Sequence, residues 1–161
     1  MKPVLLATDG SPTAEKATET AVELAQALDT ELVVVSVWNI PFTAVGFAPT
    51  PVNGEFAKLS EEQARKITVE AAARAEEAGV ETRSLVLRGF PVEEICRAAE
   101  KFNPRFLIVG SHGWGAVKRA LFGSVSTGVL HHATCPVLVV RRGGAEEDAP
   151  AVNGAQTPAH A

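Results

Sequence analysis

Short apolar runs alternating with amphipathic stretches predict an α/β fold: one domain on an open, doubly wound sheet of five parallel strands. Three observations carry this prediction. The runs are rich in Val, Leu and Ile, as strands covered on both faces are. In the stretches between them apolar residues recur at helical spacing. Each parallel strand pair also requires a crossover, and the intervening stretches are long enough to supply one as a helix.

In chain order, Val4 to Ala7 reads as the first strand. Ser11-Pro12 is a helix start, a capping hydroxyl followed by a ring that fits the first helical position. Ala14, Ala17, Ala21, Leu24, Ala25 and Leu28 then trace one helical face. Leu32 to Trp38 (LVVVSVW) is a β-branched run that reads as the second strand. Leu59 to Ala78, rich in Ala, Glu and Arg, is a long helix stopped by Gly79. Thr82 to Leu87 forms the third strand. Pro91 opens a helix carrying Val92, Ile95, Cys96 and Ala99, and Pro104 closes it. Phe106 to Val109, Ser124 to His132 and Val137 to Val140 complete the order as strand, helix and strand.

Two segments fall outside the alternation. Asn39 to Phe56 is a Pro- and Gly-rich connection long enough to be a flap or an unspecialised loop, and Gly143 to Ala161 lacks periodicity and is expected to be disordered. The domain is therefore expected to span residues 1–142.

A chain of 161 residues, 46% hydrophobic and 21% charged, buries a full core without staples. Its net charge of -4, with scattered basic residues, argues against a nucleic-acid surface. Cys96 and Cys135 lack the spacing of a zinc or redox pair and read as structural thiols. No run approaches the roughly 18 apolar residues of a membrane span, and MKPVLLATDGS is too short in its apolar part for a signal peptide. A cytoplasmic protein without membrane or nucleic-acid partners is expected.

The segment GSHGWGAVKRALFGSVS, Gly110 to Ser126, follows the fourth strand. A Walker loop fails because Ala116 stands where its lysine belongs, and the dinucleotide fingerprint fails because Lys118 stands where its last glycine belongs. What remains is Gly110, Gly113 and, nine residues on, Gly123-Ser124. The first two would let the backbone turn sharply and approach a bound group. The last two open a helix whose first N–H groups lack internal partners and can face an anion. The same glycines could instead only end a strand and cap a helix. Asp9, after the first strand, could accept from a ribose or adenine edge, or could simply turn the chain into its helix.

Among the other chemistry-bearing residues, His112 reads as a solvated loop histidine with no carboxylate or second His beside it in sequence. His131-His132 suit a helix C-terminus better than a metal, since adjacent helical residues face different ways. Lys118 and Arg119 read as helix-surface charges, and Trp114 as either a shield for the site or loop packing. No catalytic residue is expected, nor a metal ligand from a side chain.

VLLATDGSPTAEKA at the N-terminus, FLIVGSHGWGAVKRALFGSVSTGVLHHATCPVLVVR and the five-strand alternation together resemble the universal stress protein family, over about residues 2 to 142. The resemblance implies a Rossmann-like fold of the adenine nucleotide alpha hydrolase kind, and the glycine spacing matches the family's ATP-binding branch. It further implies that Asp9 and the backbone of Ala7 and Thr8 meet the adenine and ribose, and that Val37 lines the adenine pocket. Val109 and Gly110 would flank the ribose. Gly113, Gly123, Ser124 and Val125 would hold the phosphates, with Ser126 nearby. ATP, ADP or AMP is the implied cofactor, with Mg or Mn on the phosphate oxygens, and a homodimer through Val137 to Val140 is the implied assembly. Contacts from His112, Trp114 or the Asn39 to Phe56 segment are not part of this pattern.

The function expected is thus an ATP-binding, nucleotide-dependent stress-response protein with slow or no hydrolysis. An adenylating enzyme on the same kind of fold and a nucleotide-free interaction module are the alternatives.

Overall fold

The computed structural model describes residues 1–39, 54–113 and 122–141. The flap and tail expectations, Trp114, Lys118 and Arg119 lie outside these residues, save that Asn39 and Gly54 to Phe56 are described. The element order is β1 (Val4–Ala7), α1 (Pro12–Ala27), β2 (Leu32–Trp38), α2 (Gly54–Glu77), β3 (Thr82–Arg88), α3 (Pro91–Phe102), β4 (Phe106–Gly110), α4 (Ser124–His132) and β5 (Val137–Val140). One boundary differs appreciably from the expectation. Helix α2 begins at Gly54, five residues before Leu59, because Glu55, Phe56, Ala57 and Lys58 offer no break and the acidic Glu55 suits a first turn.

All pairings are parallel and the spatial order is β3-β2-β1-β4-β5. The chain winds outward from β1 to β3, then returns to place β4 on the other side of β1. Ala7 pairs with Val109. The β1–α1 turn and the segment after β4 therefore leave the sheet side by side, at the point where the winding reverses.

Strand alternation divides the core into two layers. Val4, Leu6, Leu32, Val34 and Ile108 point to the face covered by α1 and α2, through Ala17, Ala21, Ala25, Ala71 and Ala75. Leu5, Val33, Val35, Leu107 and Val109 point to the face covered by α3 and α4, through Ile95, Ala98, Ala99 and Val129. The alanine-lined faces of α1 and α2 let both helices lie close to the sheet. Ser11 caps α1, its side chain accepting from the Ala14 N–H at 3.4 Å, and Pro12 takes the first helical position as expected. Gly79, at φ +76, and Asn103, at φ 44, supply the left-handed residues that follow α2 and α3.

Cys96 and Cys135 are free, half-buried thiols, and Cys135 packs against the second layer. Burial pushes both above the usual cysteine range, with Glu100 adding to the effect at Cys96. A raised folded-state pKa favours the neutral thiol in the native chain. Its contribution to stability is therefore complete below the unfolded thiol pKa and is lost as pH rises through the folded value. Melting temperature is expected to fall as pH rises past about 8.5, and a Cys96→Ala, Cys135→Ala double variant should show a shallower fall in thermal denaturation across that range.

Candidate functional site

Beyond the carboxyl ends of β1, β2 and β4 lies a cavity of about 440 Å³. Its floor is apolar: Ala7 ends β1, Val35 and Val37 come from β2, and Val109 from β4. Pro91 and Ile95, one helical turn apart on α3, close the side beneath. Thr8 and Asp9 of the β1–α1 turn form one wall, while Gly110, His112 and Gly113 form the next. Phe122, Gly123 and the first residues of α4, Ser124, Val125 and Ser126, form the wall opposite. Every site residue expected from the sequence thus lines one cavity. The neighbours β1 and β4 bring together positions about a hundred apart in the chain.

The two glycine pairs do different jobs. A Cβ at Gly110 would stand 2.9 Å from the Ala14 nitrogen, the Thr13 carbonyl carbon and the Thr13 hydroxyl, so this glycine is where α1 rests against the end of β4. A Cβ at Gly113 would stand 2.6 Å from Asp9 Oδ2, which points across the same space. At Gly123 the nearest atom would be the Ser111 carbonyl oxygen at 3.4 Å, an ordinary contact. Gly123 is the N-cap of α4 without a side-chain cap bond. The N–H groups of Ser124, Val125 and Ser126 consequently have no acceptor inside the helix.

Asp9 turns the chain into its helix, the second of its two readings. Its Oδ1 accepts from the Ser11 N–H at 3.0 Å, turning the chain into α1, while Oδ2 faces Gly113. The buried Thr8 hydroxyl accepts from the Gly10 N–H at 3.3 Å. Gly10 itself, at φ +70, occupies the left-handed conformation that lets this turn close.

Ser126 is placed differently from a direct ligand. It is buried, and its hydroxyl donates to the Ser111 carbonyl at 2.9 Å, with the Gly123 carbonyl at 3.0 Å. The Gly123 N–H donates to the same Ser111 carbonyl at 2.7 Å. The start of α4 is in this way fastened to the end of β4. His112, expected to be a solvated loop residue, is half-buried, lines the cavity and has Nδ1 3.2 Å from Ser111 Oγ. Ser111, His112 and Gly113 lie beside the start of α4, where the Ser111 carbonyl accepts from the Gly123 N–H.

Sequence reasoning missed Val35, Pro91, Ile95, Ala14 and Phe122 among the lining residues. Val35 was readable, since it shares a strand face with Val37 two residues on. The helical spacing of Pro91 and Ile95 places them on one face of α3, but not at which end of the sheet that face arrives. His131 and His132 are exposed in the last turn of α4, in agreement with a helix-end placement. Among the described residues no group of three or more His, Cys, Asp or Glu side chains is placed to hold a metal, and no helix is long and apolar enough to cross a membrane.

Sequence comparison matches residues 1–141 to the universal stress protein family. The chain belongs to this family. A universal stress protein of Thermus aquaticus is 37% identical over 142 residues, covering 87% of this chain and 98% of the relative. One from Methanocaldococcus jannaschii is 32% identical over 145 residues, covering 88% and 82%. Among solved structures, a family member from Burkholderia pseudomallei superposes with a TM-score of 0.70 at 28% identity, covering 86% of this chain and 95% of its own. Two further members match in fold: one from Arabidopsis thaliana with AMP bound and one from Archaeoglobus fulgidus in complex with dAMP. They give TM-scores of 0.65 and 0.63 at 21% and 20% identity, covering 89% and 87% of this chain and 93% and 98% of their own.

The contacts at the glycines separate two substitutions that the sequence treats alike. Gly110→Ala is expected to destabilise by about 1–3 kcal/mol, because the new methyl meets the α1 backbone, which cannot step aside. Gly123→Ala should cost about 1 kcal/mol at most, the difference between these residues at an N-cap. Urea unfolding of the two variants beside the unmodified chain checks the order.

Proposed function

We propose that the cavity binds an adenine nucleotide, ATP foremost among ATP, ADP and AMP, and that this universal stress protein is a nucleotide-dependent regulator with slow or no hydrolysis. One observation carries the reading: the end of β4 and the start of α4, fastened together at the winding reversal, rim one cavity, with Gly113 at the place where a side chain would meet Asp9 Oδ2. The apolar floor of Val35, Val37, Val109 and Ile95 suits a purine, and the N–H groups opening α4 suit phosphate oxygens. On this reading Ala7, Thr8, Asp9 and Val37 meet the base and ribose, Val109 and Gly110 flank the ribose, and Gly113, Gly123, Ser124 and Val125 hold the phosphates. Ser126 acts through its grip on the Ser111 carbonyl. The ligands of the AMP and dAMP structures belong to those proteins, whose likeness to this chain is one of fold. Adenine is carried over as part of the proposal.

The energetics require several contacts together. Micromolar affinity corresponds to about -8 kcal/mol, whereas one helix N-terminus supplies about 0.3–2 kcal/mol toward an anion. Among the described residues the lining holds no Lys or Arg, so the phosphates would rest on backbone donors and on Mg or Mn bound to their own oxygens. Asp9 and His112 are the titratable side chains in that lining, and Asp9 Oδ1 is engaged by the Ser11 N–H.

Mass spectrometry of small molecules released from freshly purified protein should recover ATP or ADP, and calorimetry should show ATP binding. Gly113→Val, whose side chain would displace the Asp9 carboxylate, should lower ATP affinity at least about tenfold while circular dichroism stays unchanged. A protein that is persistently empty and does not take up added ATP overturns the reading. Pyrophosphate release dependent on a particular acid would point instead to adenylation.

The second part of the proposal is a cytoplasmic homodimer paired through β5. This strand is the sheet's edge, and its four apolar residues are only half-buried. Light scattering should give about twice the 16.9 kDa chain mass, and Val139→Pro, which removes a backbone donor from the edge, should give the monomer.

A further inference from the structure

We infer that Thr13, assisted by Ser11, is a positioning residue of the nucleotide site: it holds the His112 carbonyl so that the Gly113 N–H is aimed into the phosphate cradle. The inference rests on the nucleotide reading above.

Two hydroxyls from the first turn of α1 donate to one carbonyl, that of His112: Ser11 Oγ at 3.2 Å and Thr13 Oγ1 in close contact. Capping of α1 does not explain the second. Ser11 already serves as the N-cap, accepting from the Ala14 N–H. Thr13 instead spends its proton on a peptide 99 positions away in sequence. It reaches that peptide only because Gly110 leaves room, since a Cβ there would stand 2.9 Å from Thr13 Oγ1.

The consequence follows from peptide geometry. The described peptide bonds are trans, and in a trans peptide the C=O and N–H point in opposite directions. With the His112 C=O turned toward α1, the Gly113 N–H is turned away from it. The Gly113 nitrogen lies 3.8 Å from where a Gly123 Cβ would stand, so this N–H emerges beside the start of α4. The preceding peptide is held from the other side, the Ser111 carbonyl accepting from the Gly123 N–H and the Ser126 hydroxyl. Helix α1 thus orients one peptide of the cradle and helix α4 the other. The Gly113 N–H thereby joins the N–H groups that open α4, and its value to an anion depends on its direction being set before the ligand arrives.

The test compares Thr13→Val, which keeps the shape without a donor, Thr13→Ser, which keeps the donor, and the unmodified chain, each titrated calorimetrically with ATP and with adenosine. Thr13→Val is expected to weaken ATP roughly fivefold to tenfold while leaving adenosine within about twofold, because adenosine has no phosphate to meet the Gly113 N–H. Thr13→Ser should restore the ATP affinity. Should Thr13→Val unfold, Thr13→Ala carries the same expectation. Unchanged ATP affinity in the donor-less variants, or equal losses for ATP and adenosine, overturns this inference alone. Failure of the unmodified chain to bind ATP overturns the nucleotide reading and this inference with it. A separate readout in the ligand-free protein is the Gly113 amide resonance, which should move in Thr13→Val and return in Thr13→Ser; a resonance that stays in place overturns the clamp.

Discussion

The approach of helix α1 to Gly110 is the contact on which the rest of the site depends. With no Cβ at that position, the Ala14 nitrogen and the Thr13 backbone come to rest against the last residue of β4. That proximity puts Ser11 and Thr13 within reach of the His112 carbonyl, and it brings Asp9, two residues upstream of Ser11, across from Gly113. A methyl group at one residue would push α1 outward and separate the two walls of the cavity. The glycine is therefore needed first for packing, and its openness to a ligand comes as a consequence of the same geometry.

The cavity exists because of how the sheet is covered. β1 is central and β4 lies beside it, opposite β2. Helices α1 and α2 cover one face, and α3 and α4 cover the other. Where the direction of winding reverses, the connections leaving β1 and β4 diverge to opposite faces and leave a gap between them. Apolar side chains from the strand ends and from Pro91 and Ile95 floor that gap, and backbone groups from the start of α4 rim it. An apolar floor with a rim of backbone donors suits a ligand that is flat and apolar at one end and anionic at the other. The same construction explains why charged side chains are scarce in the described lining: the donors belong to the main chain, and the helix start concentrates them.

Much of the local structure was legible from residue pattern alone. Ser11-Pro12 marked the start of α1, Gly79 followed the end of α2, and the spacing of Ile95 and Ala99 marked the buried side of α3. The start of α2 at Gly54 was not legible, because helix initiation there depends on Glu55 to Lys58 joining a helix already stabilised by Ala64, Ala71 and Ala75 against the sheet. In the site, the glycines and Asp9 could be picked out because their chemistry is unusual at strand ends. Ile95 and Pro91 could not, since an apolar face on a helix reads the same whether it meets core or cavity. The half-buried placement of His112 was not legible, because its carbonyl is held by Ser11 and Thr13, about a hundred residues away in sequence.

By itself, the sequence determined the elements, their parallel arrangement and the set of backbone positions without side chains, because periodicity, capping and glycine content act over a few residues. The order of strands, the side on which β4 joins β1 and the tasks of Thr13 and Ser126 were decided only by the tertiary structure. Each of these depends on a pairing between segments about a hundred residues apart or on a buried hydroxyl finding one particular carbonyl, and such choices are made by packing the whole sheet rather than by any local preference.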